Sequence, residues 1–271
     1  MEIRYHRFTG YILGFILFYA PFAIFQKIVN YFFTGQWDYL NIHKLCLRKQ
    51  IESMASGNIF NYSEQFIFYL IVLLVSAIIL GPVFCGKLCP AGGFTEYISR
   101  IIPDRIKIDW SKYVDITPLR YGMLTGFMGL TLFGGTIACS FCNYYIFDLT
   151  INYIFWGYTI SFSGSLLLTA LLYFVLFGLF TKGGRGYCNF LCPVGAIQNL
   201  VHSLACKFLP VFRIKINQDK CIGCGICAKK CPMSSIMINN KKASNNLNNC
   251  IICGECIKSC PKKAITYTKD N

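Results

Sequence analysis

The sequence predicts an α-helical membrane domain, four transmembrane helices arranged as two repeated hairpins, followed by a small α+β domain. Three observations predict it. Charged residues are 14% of the 271 positions and hydrophobic ones 55%, whereas soluble domains carry roughly 25% charged residues. The charge deficit is concentrated before residue 182. The C-terminal stretch from Cys221 to Pro261 then holds two four-cysteine runs of identical spacing. The boundary implied is 1–212 for the membrane domain and 213–271 for the small one.

The spans are expected where uncharged runs approach the ~20 residues that cross a bilayer. The first run lies between Arg7 and Lys27, with Pro21 as a kink, and the second between Glu64 and Lys87. A third lies between Arg120 and Asp148, and a fourth from Ser163 to Phe180. Arg4 and Arg7 precede the first run as in a signal peptide, but no small-residue cleavage site follows, so a retained helix is expected. Four spans put both termini on one side. The N-terminus, the 84–120 loop and the chain from Lys182 onward hold 22 of the 26 basic residues. The positive-inside bias therefore places both termini and the C-terminal domain in the cytoplasm, at the inner membrane. The same bias reads the net charge of +14 as a lipid-facing signal and not as nucleic-acid binding.

An internal repeat runs through this domain. Phe84-Cys85-Gly86-Lys87-Leu88-Cys89-Pro90-Ala91-Gly92 matches Tyr187-Cys188-Asn189-Phe190-Leu191-Cys192-Pro193-Val194-Gly195. Downstream, Arg105-Ile106-Lys107-Ile108-Asp109 echoes Arg213-Ile214-Lys215-Ile216-Asn217. Each unit is expected to be a hairpin, a cysteine motif, an amphipathic segment and a short strand. On a continued helix, thiols four apart share one face. Each motif offers two thiols, and a tetrathiolate centre needs four. Cys85, Cys89, Cys188 and Cys192 are therefore expected to form one shared metal or cluster site at the repeat interface. The plainer alternative is that each pair only caps its helix.

The C-terminal runs are Cys221-x2-Cys224-x2-Cys227-x3-Cys231-Pro232 and Cys250-x2-Cys253-x2-Cys256-x3-Cys260-Pro261, offset by 29 residues. Three closely spaced thiolates hold three corners of an iron–sulfur cubane, and the fourth cysteine of each run ligates the other run's cluster. One 4Fe–4S cluster is thus assigned to Cys221, Cys224, Cys227 and Cys260, and the second to Cys250, Cys253, Cys256 and Cys231. Gly225 and Gly254 fall where the chain must wrap tightly. A zinc module would need its ligands in two pairs, and a disulfide scaffold belongs in a small secreted domain. The runs resemble a bacterial two-cluster ferredoxin.

Two C-x3-C-P motifs ahead of such a ferredoxin resemble the NapH-type membrane polyferredoxins, quinol-dehydrogenase subunits associated with periplasmic nitrate reductase. The C-terminal half of the NosR-type proteins is similar. The resemblance implies an electron-transfer subunit of an oxidoreductase complex and not a stand-alone enzyme. Its partners would be redox subunits, with quinol or a soluble ferredoxin or flavodoxin exchanging electrons. Lys229, Lys230, Lys262 and Lys263 suit an acidic partner of that kind. A second reading, from another class, is a copper-reducing assembly factor for a respiratory metalloenzyme, because thiolates favour monovalent copper.

Cys139-x2-Cys142 is expected at the outer end of the third span, as a further candidate metal site in its own right; a four-ligand site with His43 and Cys46 is the less favoured alternative, and a redox-active or buried CxxC pair the plainer one. Cys206 reads as packing, and His6 and His202 as solitary.

Overall fold

The computed structural model describes residues 2–19, 22–38, 48, 64–133, 142–157 and 164–269. His43, Cys46 and Cys139 lie outside the described residues.

The helical part begins with α1 (Glu2–Phe18) and α2 (Ile24–Thr34), separated by a break at which Ala23 takes a φ of 43°. Next come α3 (Glu64–Leu80), a π-wound turn (Phe84–Leu88) and α4 (Pro90–Ser99). These are followed by α5 (Ile116–Phe133) and α6 (Asn143–Trp156). The second unit runs through α7 (Gly164–Ala170), a π-wound segment (Leu171–Leu179), α8 (Gly186–Phe190) and α9 (Pro193–Phe208).

The four-span expectation is corrected by these lengths. Among the described residues, no helix is long and apolar enough to cross a membrane. A helix of 17 residues, the length of α1 and of α3, extends about 25 Å at 1.5 Å per residue, short of the roughly 30 Å hydrocarbon core. The first run is cut at Ala23, the second at Gly81 and Pro82, and the fourth changes its winding at Leu171. The third run opens on Arg120, which is buried against the C-terminal lobe. The transmembrane fold class and the multi-pass inner-membrane placement with cytoplasmic termini are both overturned. The kink expected at Pro21 lies outside the described residues; apolar content does not show the turn at Gly81 and Pro82 or the change of winding at Leu171. Several large apolar side chains remain exposed along the helices, including Leu13, Ile28, Ile71, Val75 and Leu167.

The two repeat units exchange partners. The helix after the first motif, α4, packs on the π-wound segment before the second, and the helix after the second, α9, packs on α3 before the first. Sequence similarity between the motifs thus becomes a spatial two-fold relation in which each unit closes over the other. The echoed strands diverge. Phe212–Ile216 forms β1, whereas Ile108 makes only an isolated bridge to Thr181.

The C-terminal lobe is small and repeats internally. β1 pairs antiparallel with β4 (Ile265–Lys269), so that Phe212 lies opposite Lys269 and Ile216 opposite Ile265. β2 (Ile236–Asn239) and β3 (Lys242–Asn245) form a hairpin whose turn residues Asn240 and Lys241 both have positive φ, as a two-residue hairpin turn requires. α10 (Ile226–Lys230) and α11 (Glu255–Ser259) are single turns, each preceded by a left-handed glycine, Gly225 with φ 73° and Gly254 with φ 77°. Ile214, Ile236, Ile252 and Ile265 are buried together with Cys227, Cys250 and Cys256, and Val83 of the helical part packs against them.

Candidate iron–sulfur sites

In the C-terminal lobe the eight cysteines fall around two clefts. Cys221, Cys224, Cys227 and Cys260 line one with Ile222, Ile238 and Ile265. Cys231, Cys250, Cys253 and Cys256 line another with Ile214, Met233 and Ile252. Each fourth cysteine therefore faces the three of the other run. Backbone N–H groups point at the sulfurs: Ala243 to Cys221 at 3.4 Å, Ser235 to Cys231 at 3.3 Å and Ala264 to Cys260 at 3.3 Å. Such bonds favour the charged sulfur and tune a cluster's potential. The first cleft opens toward solvent through the exposed Cys224, while Cys250 and Cys256 of the second are buried. Burial pushes the Cys250 thiol up to about 12 and the Cys253 thiol to about 11. Coordination to a metal centre offsets that cost, since a bound thiol is deprotonated outright.

The C-x3-C motifs do not continue their helices, as a shared helical face would need. Both second cysteines leave the helix in an extended conformation, Cys89 with ψ 106° and Cys192 with ψ 111°. Each is the N-cap of the next helix, with proline at its first position. There proline costs nothing, because its missing N–H would be unsatisfied anyway. Neither sulfur makes a cap hydrogen bond, although the first-turn amides of Gly92 and Ala91 beside Cys89, and of Gly195 beside Cys192, act to lower the two thiols. Burial, followed by the neighbouring Cys188, raises both thiols, and Cys192 is pushed up to about 12.

The exchanged packing brings the two pairs within electrostatic reach of one another. Cys85 is influenced by Cys89, Cys192 and Cys188. Two glycines make the approach possible. A Cβ on Gly92 would fall 3.2 Å from the Cys188 sulfur and 2.5 Å from Nη1 of Arg185. One on Gly195 would fall 2.9 Å from Nη2 of Arg120 and 3.9 Å from the Cys192 sulfur. Arg120 and Arg185 are each only 1% exposed, so two guanidiniums flank four thiols in a buried site. Nε and Nη2 of Arg120 find no hydrogen-bond acceptor among the described residues. A buried cation with orphaned donors beside thiols suits an anionic, sulfur-rich group. Among the described residues, no three His, Cys, Asp or Glu side chains stand at single-ion distances, here or in the C-terminal lobe. A cubane carries its thiolates on separate irons and so needs them farther apart than one ion does.

A buried ionic network holds this site in place. Glu96 on α4 accepts hydrogen bonds from Arg7 at 2.8 Å, Arg185 at 3.0 Å and Arg100 at 3.0 Å. Burial alone would raise its carboxyl, but Arg185 and Arg7 outweigh that and hold it below the usual range. Arg7 also reaches Glu255 of the C-terminal lobe at 2.9 Å. Nη1 of Arg185 donates to the Cys85 carbonyl at 2.8 Å, and Nη2 donates to the Tyr11 hydroxyl at 2.6 Å. On the other flank, Tyr19, Tyr173 and Tyr187 are buried against Ala91, with Cys89 and Cys192 beside them. Cys142 caps α6 near Tyr19, Tyr144 and Tyr187.

The pattern has counterparts. A 4Fe-4S dicluster domain matches residues 213–261, and a 4Fe-4S binding domain matches 66–109 and 162–217, the stretches that carry the two C-x3-C motifs. The ferredoxin-type protein NapH of Haemophilus influenzae is 27% identical over 62% of this chain and 53% of its own length. The chain is similar to the NapH-type polyferredoxins. The polyferredoxin is also 24% identical to the putative electron transport protein YccM of Escherichia coli, over 66% of this chain and 49% of YccM. An uncharacterised protein of Methanocaldococcus jannaschii, MJ0750, is 29% identical over 78% of this chain and 82% of its own. Against NapH and YccM the polyferredoxin spans about half of the relative's length. No solved structure matches it. The polyferredoxin binds 4Fe–4S clusters and belongs to iron–sulfur electron transport.

Sequence reasoning missed the arginines, Glu96 and Tyr11. Their signal was present: Arg120 heads an uncharged run and Arg185 stands three residues before Cys188. Each alone reads only as loop charge. His202 is not solitary either. It is buried, with its Nδ1 3.1 Å from the Ala77 carbonyl and its Nε2 3.5 Å from the Cys206 sulfur.

Proposed function

We propose that the polyferredoxin relays electrons through three iron–sulfur centres in series. Cys221, Cys224, Cys227 and Cys260 hold the solvent-side centre. Cys250, Cys253, Cys256 and Cys231 hold the middle one. Cys85, Cys89, Cys188 and Cys192 share the third, buried one. The clusters supply one-electron chemistry, and the chain supplies their spacing, charge and shielding from water.

One observation carries this reading. The loop bearing Cys253 lies directly on the turn bearing Cys85, with Gly86 against the Ile251 carbonyl and 3.1 Å from a Cβ position there to the Cys253 nitrogen. The same loop is held from the helical side. Arg120 donates to the Asn248 carbonyl at 3.0 Å and Tyr121 to the Asn248 side chain at 2.9 Å. Asn199 donates to the carbonyls of Leu247 and Cys250 at 2.8 and 2.7 Å. A connection this rigid keeps two redox centres at a constant separation.

The outer end of the series is the exposed Cys224, near the exposed Lys229, Lys230, Lys262 and Lys263. That basic rim favours an acidic soluble ferredoxin or flavodoxin as partner at this end. Quinol or a partner redox enzyme would exchange electrons at the buried end. An anaerobic redox titration followed by electron paramagnetic resonance tests the series. Three titrating centres are expected, and Cys85→Ser and Cys192→Ser should each delete the same one.

A further inference from the structure

We infer that Arg120 is a charge-setting residue for the buried four-cysteine site, where its guanidinium stabilises the reduced state of the centre; this rests on the three-centre reading. Arg120 is 1% exposed, has no carboxylate partner among the described residues, and uses Nη1 alone, on the Asn248 carbonyl at 3.0 Å. Its Nε and Nη2 have no acceptor among the described residues. The neighbours that act on it electrostatically include Cys85, Cys192 and Cys188, and Nη2 lies 2.9 Å from the Cβ position of Gly195, beside Cys192.

Arg185, the other guanidinium at the site, is placed differently. It pairs at 3.0 Å with Glu96, a carboxylate it shares with Arg7 and Arg100. Arg120 therefore contributes uncompensated positive charge to the site, and a buried unpaired cation is among the costliest arrangements a fold retains. Residues that merely pinned the Asn248 loop would not need a charge, since Tyr121 and Asn199 pin it with neutral groups. One-electron reduction adds a negative charge to the centre. A fixed cation nearby favours that state and raises the potential, without itself gaining or losing a proton.

The test is a redox titration of purified R120Q, R120K and R120H, with iron analysis of each. R120Q should keep its iron while one midpoint potential falls and the other two stay. R120K should restore that potential. R120H should make it pH-dependent between about pH 5 and 8, as imidazole loses its charge, and this variant carries the test if R120Q does not fold. Full iron with all potentials unchanged in R120Q, or a pH-independent R120H, would overturn the inference while leaving the three-centre reading intact. Equal loss of one centre's iron in R120Q and R120K would also overturn it, by making Arg120 a structural clamp. If the wild-type protein titrates only two centres, the underlying reading fails first.

Discussion

Gly86 lies flat against the Ile251 carbonyl, with no room between them for a side chain. This contact joins the turn that carries Cys85 to the loop that carries Cys253, and is one of the tight approaches of the helical part to the C-terminal lobe. Gly86→Ala should force the two apart. Overpacking of this kind costs about 1–3 kcal/mol. A lowered thermal midpoint and a changed spectrum of the middle centre, with the solvent-side centre unaltered, are the expected readings. An unchanged spectrum would mean that the contact does not couple them.

Glu96 is the acceptor for three arginines, two of them buried. Glu96→Gln leaves Arg7 and Arg185 without their counter-charge, and removing one partner of a buried pair costs about 3–5 kcal/mol. The pH dependence has a definite sign. Its folded-state value is depressed, so the stabilisation is complete above the unfolded value of about 4.3 and is lost as pH falls through the lower folded value. Denaturant midpoints measured against pH should show that acid slope in the wild type and a smaller one in E96Q.

Exchange of the fourth ligand makes a prediction that sequence distance would not suggest. Cys227→Ser and Cys260→Ser should damage the same cluster, and Cys231→Ser should instead damage the one held by Cys250, Cys253 and Cys256. The cleft linings group the cysteines in this way. Mössbauer or paramagnetic resonance spectra of the three variants check it, and separate losses in C227S and C260S would contradict it.

What could be read from the sequence followed from strict local constraints. Identical cysteine spacing reflects the fixed geometry of a cubane, and Gly225 and Gly254 hold the left-handed turns that such wrapping needs. Similarity between Phe84–Gly92 and Tyr187–Gly195 pointed to a shared interface, and the helices following the two motifs do exchange partners. Helix length was not legible. Hydropathy measures apolar content, and it passed over the break at Ala23 and the turn at Gly81 and Pro82. The pairing of the buried charges was illegible for a related reason. Arg7, Glu96 and Arg185 are far apart in sequence and meet only through tertiary packing, so each one alone reads as an ordinary loop charge.

The central claim is that the two C-x3-C pairs hold one iron–sulfur centre together, and the iron content of the intact, anaerobically purified chain tests it most directly. Three four-iron centres predict about twelve irons per chain, falling to about eight in Cys85→Ser, in Cys192→Ser and equally in the double variant, because the four thiolates act as a unit. A wild-type chain holding about eight irons, with both single variants unchanged or with copper bound at the four thiols instead, would contradict it.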